Sequence, residues 1–448
     1  MSRSILVFAL ALIAASALRA ADFVVDPASP YYQGRTEESV ASELAAAGCR
    51  SVHLVHRHGA DLAELVEAFK TAGIKVWLLS DLTSLDQGED LPEQSASWRM
   101  KTINQPDDAP AHFCPNNPAY RRWIKAHVIQ ALGSGPFSGV NLAEAFFPGS
   151  EDIPAEPYGC LCEHCTAAFK KMYPDVSGPP QFTDPQSPQY WKTDAQLYEK
   201  WTAFRAFSVV EFLDDLVNGA GGIRETRPGI SIAVSCPVLV QADGPEKLRM
   251  WNGVDVDAVV KRVRPDVLVL QTHKTDWSKP DLKPDYPLAF HSTVTTIGET
   301  SAGLSVILQA DIGSSAETRR SEMWMTDAAE SAAKAGFDST VFYEYHLGDY
   351  IYTAPLRVAA ASADTDTVKL VFNKRVDPAS ASSIGNYELP SGSVDYARVD
   401  GNTVTLSVSG ADPVAAVAIS GLSDDESARH FHDRPACAMQ DTVQVSVQ

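Results

Sequence analysis

Four thiols in this chain stand in a pattern suited to holding a soft metal ion. Cys160, Cys162 and Cys165 lie together in "YGCLCEHC", and Cys114 precedes them, with 45 residues between it and Cys160, in "HFCPNNPAYRRW". Thiolates so placed can fold around one divalent cation as a tetrahedral site. Two other outcomes stay open: disulfides made during export, and a cysteine cluster without metal. Three of the four are too close together to staple distant parts of the chain. His164, between two of them, reads as a surface residue. The count of seven cysteines is odd, so at least one is unpaired; Cys236 and Cys49 read as buried free thiols, and Cys437 has no evident partner.

A second group consists of carboxyl and polar side chains at the ends of apolar runs. Glu144 closes "SGVNLAEA", Asp311 closes "LSVILQAD", and Glu344 follows "STVFY". Cleaving a glycosidic bond calls for two carboxyl groups, one protonated to assist departure and one to attack or to activate water. Glu144 with Glu344 is the preferred pair, Asp311 the close alternative for the second member, and Glu156 a rival to Glu144. Asn141, His56, Arg57, His58, Asp81, Gln271, His273 and His346 stand at or near other run ends, where they suit sugar hydroxyls. Trp98, Trp277 and Trp324 suit either stacking on sugar rings or packing. The histidines also allow a rival chemistry, metal-dependent hydrolysis, although no carboxylate-bridging pattern accompanies them. Neither a Gly-x-Ser-x-Gly elbow, a phosphate-binding lysine loop nor a Gly-x-Gly-x-x-Gly turn is present.

The elements that must position these groups alternate. Short β-rich runs ("DFVVD", "SVHLVHR", "IKVWLLSD", "SGVNLAEA", "ISIAVSC", "DVLVLQTH", "LSVILQAD", "STVFYEY") are separated by helical patterns such as "TEESVASELAAAG" and "DVDAVVKRVRP". That alternation predicts an α/β fold, a closed (β/α)8 TIM barrel over residues 22–356 with active groups at the strands' C-terminal ends. In the longest crossover Trp201, Phe204, Val209, Phe212 and Leu216 share one helical face. From residue 357 to 448 the texture changes to short alternating strands broken by Gly, Ser, Asn and Asp, predicting a small all-β sandwich. Residues 1–21 read as a secretory signal peptide, with Arg3 before "ILVFALALIAA" and small residues beyond, which implies a secreted or periplasmic protein without a later membrane span.

The segment "YGCLCEHCTAAFKKMYP", with Cys114 upstream, resembles the β-galactosidases of glycoside hydrolase family 42. The resemblance implies that Cys114, Cys160, Cys162 and Cys165 hold a structural Zn2+ whose four places are all filled by protein. It also implies an acid/base glutamate at the end of strand four. That family has Asn-Glu there and this chain has Ala143-Glu144, and where the family ends strand seven on glutamate this chain has Asp311. The stretch "VKLVFNKRVDPASASSIGNYEL" resembles bacterial Ig-like modules, which act as spacers or adhesion units. No chemistry is assigned to it.

Composition limits the partners. Apolar residues make up 45% of the 448, enough for a large core, and the formal charge is −20. Nucleic acid and anionic membranes both need a basic face and are disfavoured. Glycans remain compatible. The sequence therefore points to a secreted glycosidase acting on a poly- or oligosaccharide, with a non-catalytic carbohydrate-binding barrel as the alternative.

Overall fold

The computed structural model describes residues 21–57, 59–85, 91–104, 111–153, 156–410, 414–439 and 442–447. The leader read at residues 1–21 and His58 therefore fall almost wholly outside the described residues. Eight strands form the first unit: β1 (Asp22–Val25), β2 (Ser51–Val55), β3 (Lys75–Asp81), β4 (Gly139–Ala143), β5 (Ser231–Val238), β6 (Val267–Thr272), β7 (Ser305–Asp311) and β8 (Ser339–Tyr343). They pair in parallel and close on themselves in the order β1-β8-β7-β6-β5-β4-β3-β2. Each matches one of the apolar runs in the sequence. β2 and β4 are buried along their full length, as parallel strands covered on both faces must be.

Helices cover the outside: α1 (Glu37–Ala46), α2 (Ala63–Thr71), α3 (Pro118–Ala131), α4 (Glu163–Met172), α5 (Ala195–Asn218), α6 (Gly244–Asn252), α7 (Val256–Val263), α8 (His291–Thr300) and α9 (Glu322–Ala335). Local chemistry sets their ends. The side chains of Thr36 and Asn117 accept from the first free amides of α1 and α3. Gly336 stops α9 at φ +100°, a conformation that favours glycine. The predicted face of α5 is buried from Trp201 to Leu216.

Inside the barrel, side chains stack in layers because successive residues of a strand point to opposite sides. Val24, Val55, Leu79, Ala143, Ala233, Val269, Ile307 and Val341, one from each strand, form one apolar layer. A polar layer lies one step deeper. There His53 stacks on Trp77 and contacts Asn141 Nδ2 at 3.1 Å, and Ser235, further along strand five, donates to Asn141 Oδ1 at 2.8 Å.

Beyond the barrel come β9 (Val358–Ala363), β10 (Thr367–Phe372), β11 (Tyr387–Glu388), β12 (Ser393–Asp400), β13 (Thr403–Ser409), β14 (Ala416–Ile419) and β15 (Val443–Ser446). They make two antiparallel sheets, ordered β9-β10-β13-β12 and β11-β14-β15. Val368, Leu370, Phe372, Leu406, Val417 and Ile419 belong to one shared core. Among the described residues no helix is long and apolar enough to cross a membrane.

These sheets are bolted to the barrel by polar contacts. Arg35 pairs with Glu43 at 2.7 Å, both side chains fully buried, and also donates to Asn402 at 2.8 Å. Thr36 gives its amide and hydroxyl to Asp400, and Arg375 donates to the carbonyls of Tyr31 and Gln33. Lys374, nearly inaccessible, joins the Ile351 carbonyl to Asp424.

Candidate active site at the barrel mouth

Two residues beyond the apolar layer, the strand ends turn polar. Asp26, Arg57, Asp81, Gln271, Gln309 and Tyr343 each follow a layer residue by two positions, so period-two alternation aims them inward. All six line a cavity of about 280 Å3 at the C-terminal end of the barrel, over Val55, Leu79 and Ala143. Trp277, Ser84 and Ser314 stand on its rim.

Glu144 reaches this cavity by breaking the rule. Ala143 faces inward, so strict alternation sends residue 144 outward among the helices. Instead Glu144 has φ +54°, a left-handed backbone uncommon outside glycine, and its side chain lines the cavity. The turn is held from strand three's end. Leu82 N donates to the Ala143 carbonyl at 2.9 Å, and Thr83 N to the Glu144 carbonyl at 3.1 Å. The Thr83 hydroxyl also donates to the Glu144 carbonyl and accepts from Phe146 N at 3.2 Å. Thr83 is inaccessible to solvent.

Electrostatics follow from the enclosure. Burial pushes the Glu144 carboxyl up to about 7, opposed by a hydrogen bond from Gln271 Nε2 at 3.3 Å. Asp311 is also raised by burial, against hydrogen bonds from its own loop. Its Oδ1 accepts from Gly313 N at 2.9 Å and Ser314 N at 3.0 Å, and its Oδ2 from the Ser314 hydroxyl. Asp26 pairs with Arg57 at 2.5 Å. A carboxyl whose burial favours its protonated form is suited to general acid catalysis.

The structure brings Glu144, Asp311, Asp81, Arg57 and Gln271 together in one cavity. Glu344, the preferred partner of Glu144, is not among the lining residues. It is 3% exposed, and its Oε1 accepts from Asp26 N at 2.6 Å and lies 3.1 Å from His346 Nδ1. That contact lacks hydrogen-bond alignment, leaving Nδ1 without an acceptor. Glu344 thus braces the cavity wall from behind. His346 is buried with it, bonded to Ser29. Asn141 is fully buried in the deeper polar layer, one alternation step below Ala143. His56 packs on His127, and His273 caps its own turn through Thr275. Neither lines the cavity. Glu156 is exposed away from it. Trp98 packs against Phe113, Tyr120 and Trp123, and Trp324 against Tyr286.

Sequence reading missed Asp26, Thr83, Gln309 and Tyr343. For Asp26, Gln309 and Tyr343 the signal was available, since each sits two residues past an inward apolar position.

The four cysteines also converge. The Sγ atoms of Cys114, Cys160, Cys162 and Cys165 all lie within 4.8 Å of one another, and Cys114 is 3.5 Å from both Cys162 and Cys165. Bonds of about 2.3 Å to a central zinc put tetrahedral sulfurs about 3.8 Å apart, so the cluster fits such an ion. No S–S bond joins any described pair. Among the described residues this is the only group of three or more His, Cys, Asp or Glu side chains close enough to share an ion. His56, His273 and His346 do not form one.

No family model matches the sequence, and no curated protein does. Among solved structures, the glycoside hydrolase domain of PgaB (BpsB) from Bordetella bronchiseptica aligns at 13% identity with a TM-score of 0.51, covering 72% of this chain and 93% of that one. The catalytic domain of a β-amylase from Paenibacillus polymyxa aligns at 12% identity and TM-score 0.48, covering 72% and 91%. A β-galactosidase from Marinomonas ef1 aligns at 12% and 0.47, covering 72% and 53%. The PgaB alignment establishes a shared barrel fold.

Proposed function

We propose that this barrel is a glycoside hydrolase in which Glu144 is the general acid and Asp311 the second carboxylate. One observation carries the reading: a left-handed turn swings Glu144 into a small carboxyl-lined cavity, where burial lifts its pKa to about 7. An acid poised there keeps a sizeable protonated fraction up to about neutral pH and can pass its proton to the oxygen of a departing sugar. Asp311 enters from the end of strand seven and lines the same space. The solved barrel with which the fold aligns is a glycoside hydrolase domain, which is consistent with this reading and no substitute for it. Family 42 membership is part of the proposal, supported by the cysteine pattern and by Glu144 at the end of strand four.

We propose three further features. The cysteine cluster is a structural zinc site that ties the loop bearing Cys114 to the loop after strand four. The C-terminal sheets are an Ig-like sandwich. The leader directs the chain to the periplasm or outside the cell.

The test is the pH dependence of kcat/KM on a cleaved glycan. Glu144 must be protonated to act, so the rate is expected to fall as pH rises through about 7, and Glu144→Gln to lower it by about 10²–10⁴-fold. A second reading, a sugar-binding barrel without catalysis, draws on the hydrogen bonds that tie Asp311 to its own loop. Cleavage that is unchanged in Asp311→Asn removes Asp311 from the mechanism, and absence of cleavage by the native protein favours binding alone.

A further inference from the structure

Four thiolates around one divalent ion leave the cysteine cluster with a net negative charge. Cys114, Cys160 and Cys165 are buried, so water cannot offset that charge at their sulfurs. Hydrogen-bond donors have to do so instead. Donors reach the sulfurs of Cys162 and Cys165. Cys162 is the N-cap of α4, and its Sγ accepts from Cys165 N at 3.5 Å, so the positive end of that helix faces the cluster. The other donor is a side chain. Asn116, two residues after Cys114, gives Nδ2–H to Cys165 Sγ at 3.3 Å.

The neighbours of Asn116 force the direction of that contact. The Ser208 hydroxyl, on α5, gives its one hydrogen to the Phe204 carbonyl at 2.9 Å. Ser208 Oγ can therefore only accept from Asn116, which it does at 3.0 Å. A thiolate likewise only accepts. An amide set between two acceptors must turn its NH2 group to both, and its two hydrogens are then fully used. With the amide reversed, the Asn116 oxygen would face a lone pair on each side.

Resting on the zinc reading of the cluster, we propose that Asn116 is a positioning residue of the metal centre. Its amide donates to the metal-bound Cys165 sulfur and offsets the cluster's negative charge, while Ser208 holds the amide in place. The loop bearing Cys114 thus supplies one ligand and steadies a second. The metal is also tied to α5, although that helix contributes none of the four cysteines. Losing such an outer partner weakens metal binding by about 10–100-fold.

The experiment measures zinc affinity of the full-length protein by competition with a chromophoric chelator. Native protein, Asn116→Ala, Asn116→Asp and Ser208→Ala are compared, each first shown to be folded by circular dichroism. Asn116→Ala is expected to bind zinc about 10-fold or more weakly, and Ser208→Ala to show a smaller loss in the same direction. Asn116→Asp keeps the shape, lacks both hydrogens and adds a negative charge, so it is expected to bind most weakly. It also decides the matter if Asn116→Ala does not fold. Loading with Co2+ adds a readout that lost packing would not move. Removing the N–H···S bond raises the energy of the sulfur lone pairs, so the sulfur-to-cobalt charge-transfer band is expected at longer wavelength in both Asn116 variants. An unmoved band overturns the proposal whatever the affinity, and so does native affinity in both Asn116 variants. Native protein that takes up neither zinc nor cobalt overturns the zinc reading itself, and the proposal with it.

Discussion

At the scale of single residues, Glu144 holds the account together, and its backbone is as telling as its side chain. A non-glycine residue at positive φ costs about 1–2 kcal/mol, and such positions concentrate where a side chain has to be aimed. Thr83 secures this one through two contacts to the Glu144 carbonyl. The raised pKa carries a stability consequence. The folded value, about 7, exceeds the ordinary 4.5, so the native state holds the proton more tightly than the unfolded chain does. Stability from this group is full below the ordinary value and is lost as pH rises through about 7. Glu144→Gln cannot ionise, so it is expected to melt with the native protein at acidic pH and above it on the alkaline side of 7. A thermal-melt series across that range checks this; a difference independent of pH contradicts it. That Glu144 stood at a strand end was legible in "SGVNLAEA". That it turned inward was not, because the turn depends on Thr83, 61 residues earlier in the chain at the end of the barrel's third strand.

At the scale of elements, two devices hold the loops that follow strands three, four and five. One is the cysteine cluster. Under the zinc proposal, native protein carries about one zinc per chain, and Cys162→Ser loses it, with proteolytic cutting near residues 145–165 while the barrel's circular dichroism persists. Metal-free native protein of full stability contradicts that. The other device is Arg205, on the buried face of α5, which no sequence pattern singled out. It is fully buried, donates to the carbonyls of Met250, Trp251 and Pro148 and to the Tyr158 hydroxyl, and lies over the Tyr158 ring. It stands four residues after Trp201, so helical spacing did place it inward, but composition alone reads arginine as solvated. Arg205→Leu strands several buried carbonyls and is expected to cost about 2–4 kcal/mol, read from denaturant unfolding. A cost below about 0.5 kcal/mol would mean water replaces it without loss.

The whole molecule was legible where burial is continuous and obscure where it is not. All eight barrel strands announced themselves, since parallel strands covered on both faces are apolar along their length. β9 went unseen because Ala-rich "VAAASA" is mostly exposed at a sheet edge. β15 went unseen because it is short and mostly exposed. The junction between the units was the larger omission. A spacer role implies loose attachment, whereas Arg35, Thr36, Lys374 and Arg375 bind the sheets to the barrel through buried polar contacts. One cooperative unfolding transition is therefore expected for both units, and Asp400→Ala is expected to lower its midpoint. Two separate calorimetric transitions, with the barrel's unmoved in that variant, would count against a rigid junction.

The most direct measurement is release of reducing ends from a broad oligosaccharide panel by native protein and by Glu144→Gln, assayed side by side after both are shown to be folded. The native protein is expected to cleave at least one glycan, and the variant to lose that cleavage by about 10²-fold or more. Cleavage at the native rate by Glu144→Gln contradicts this.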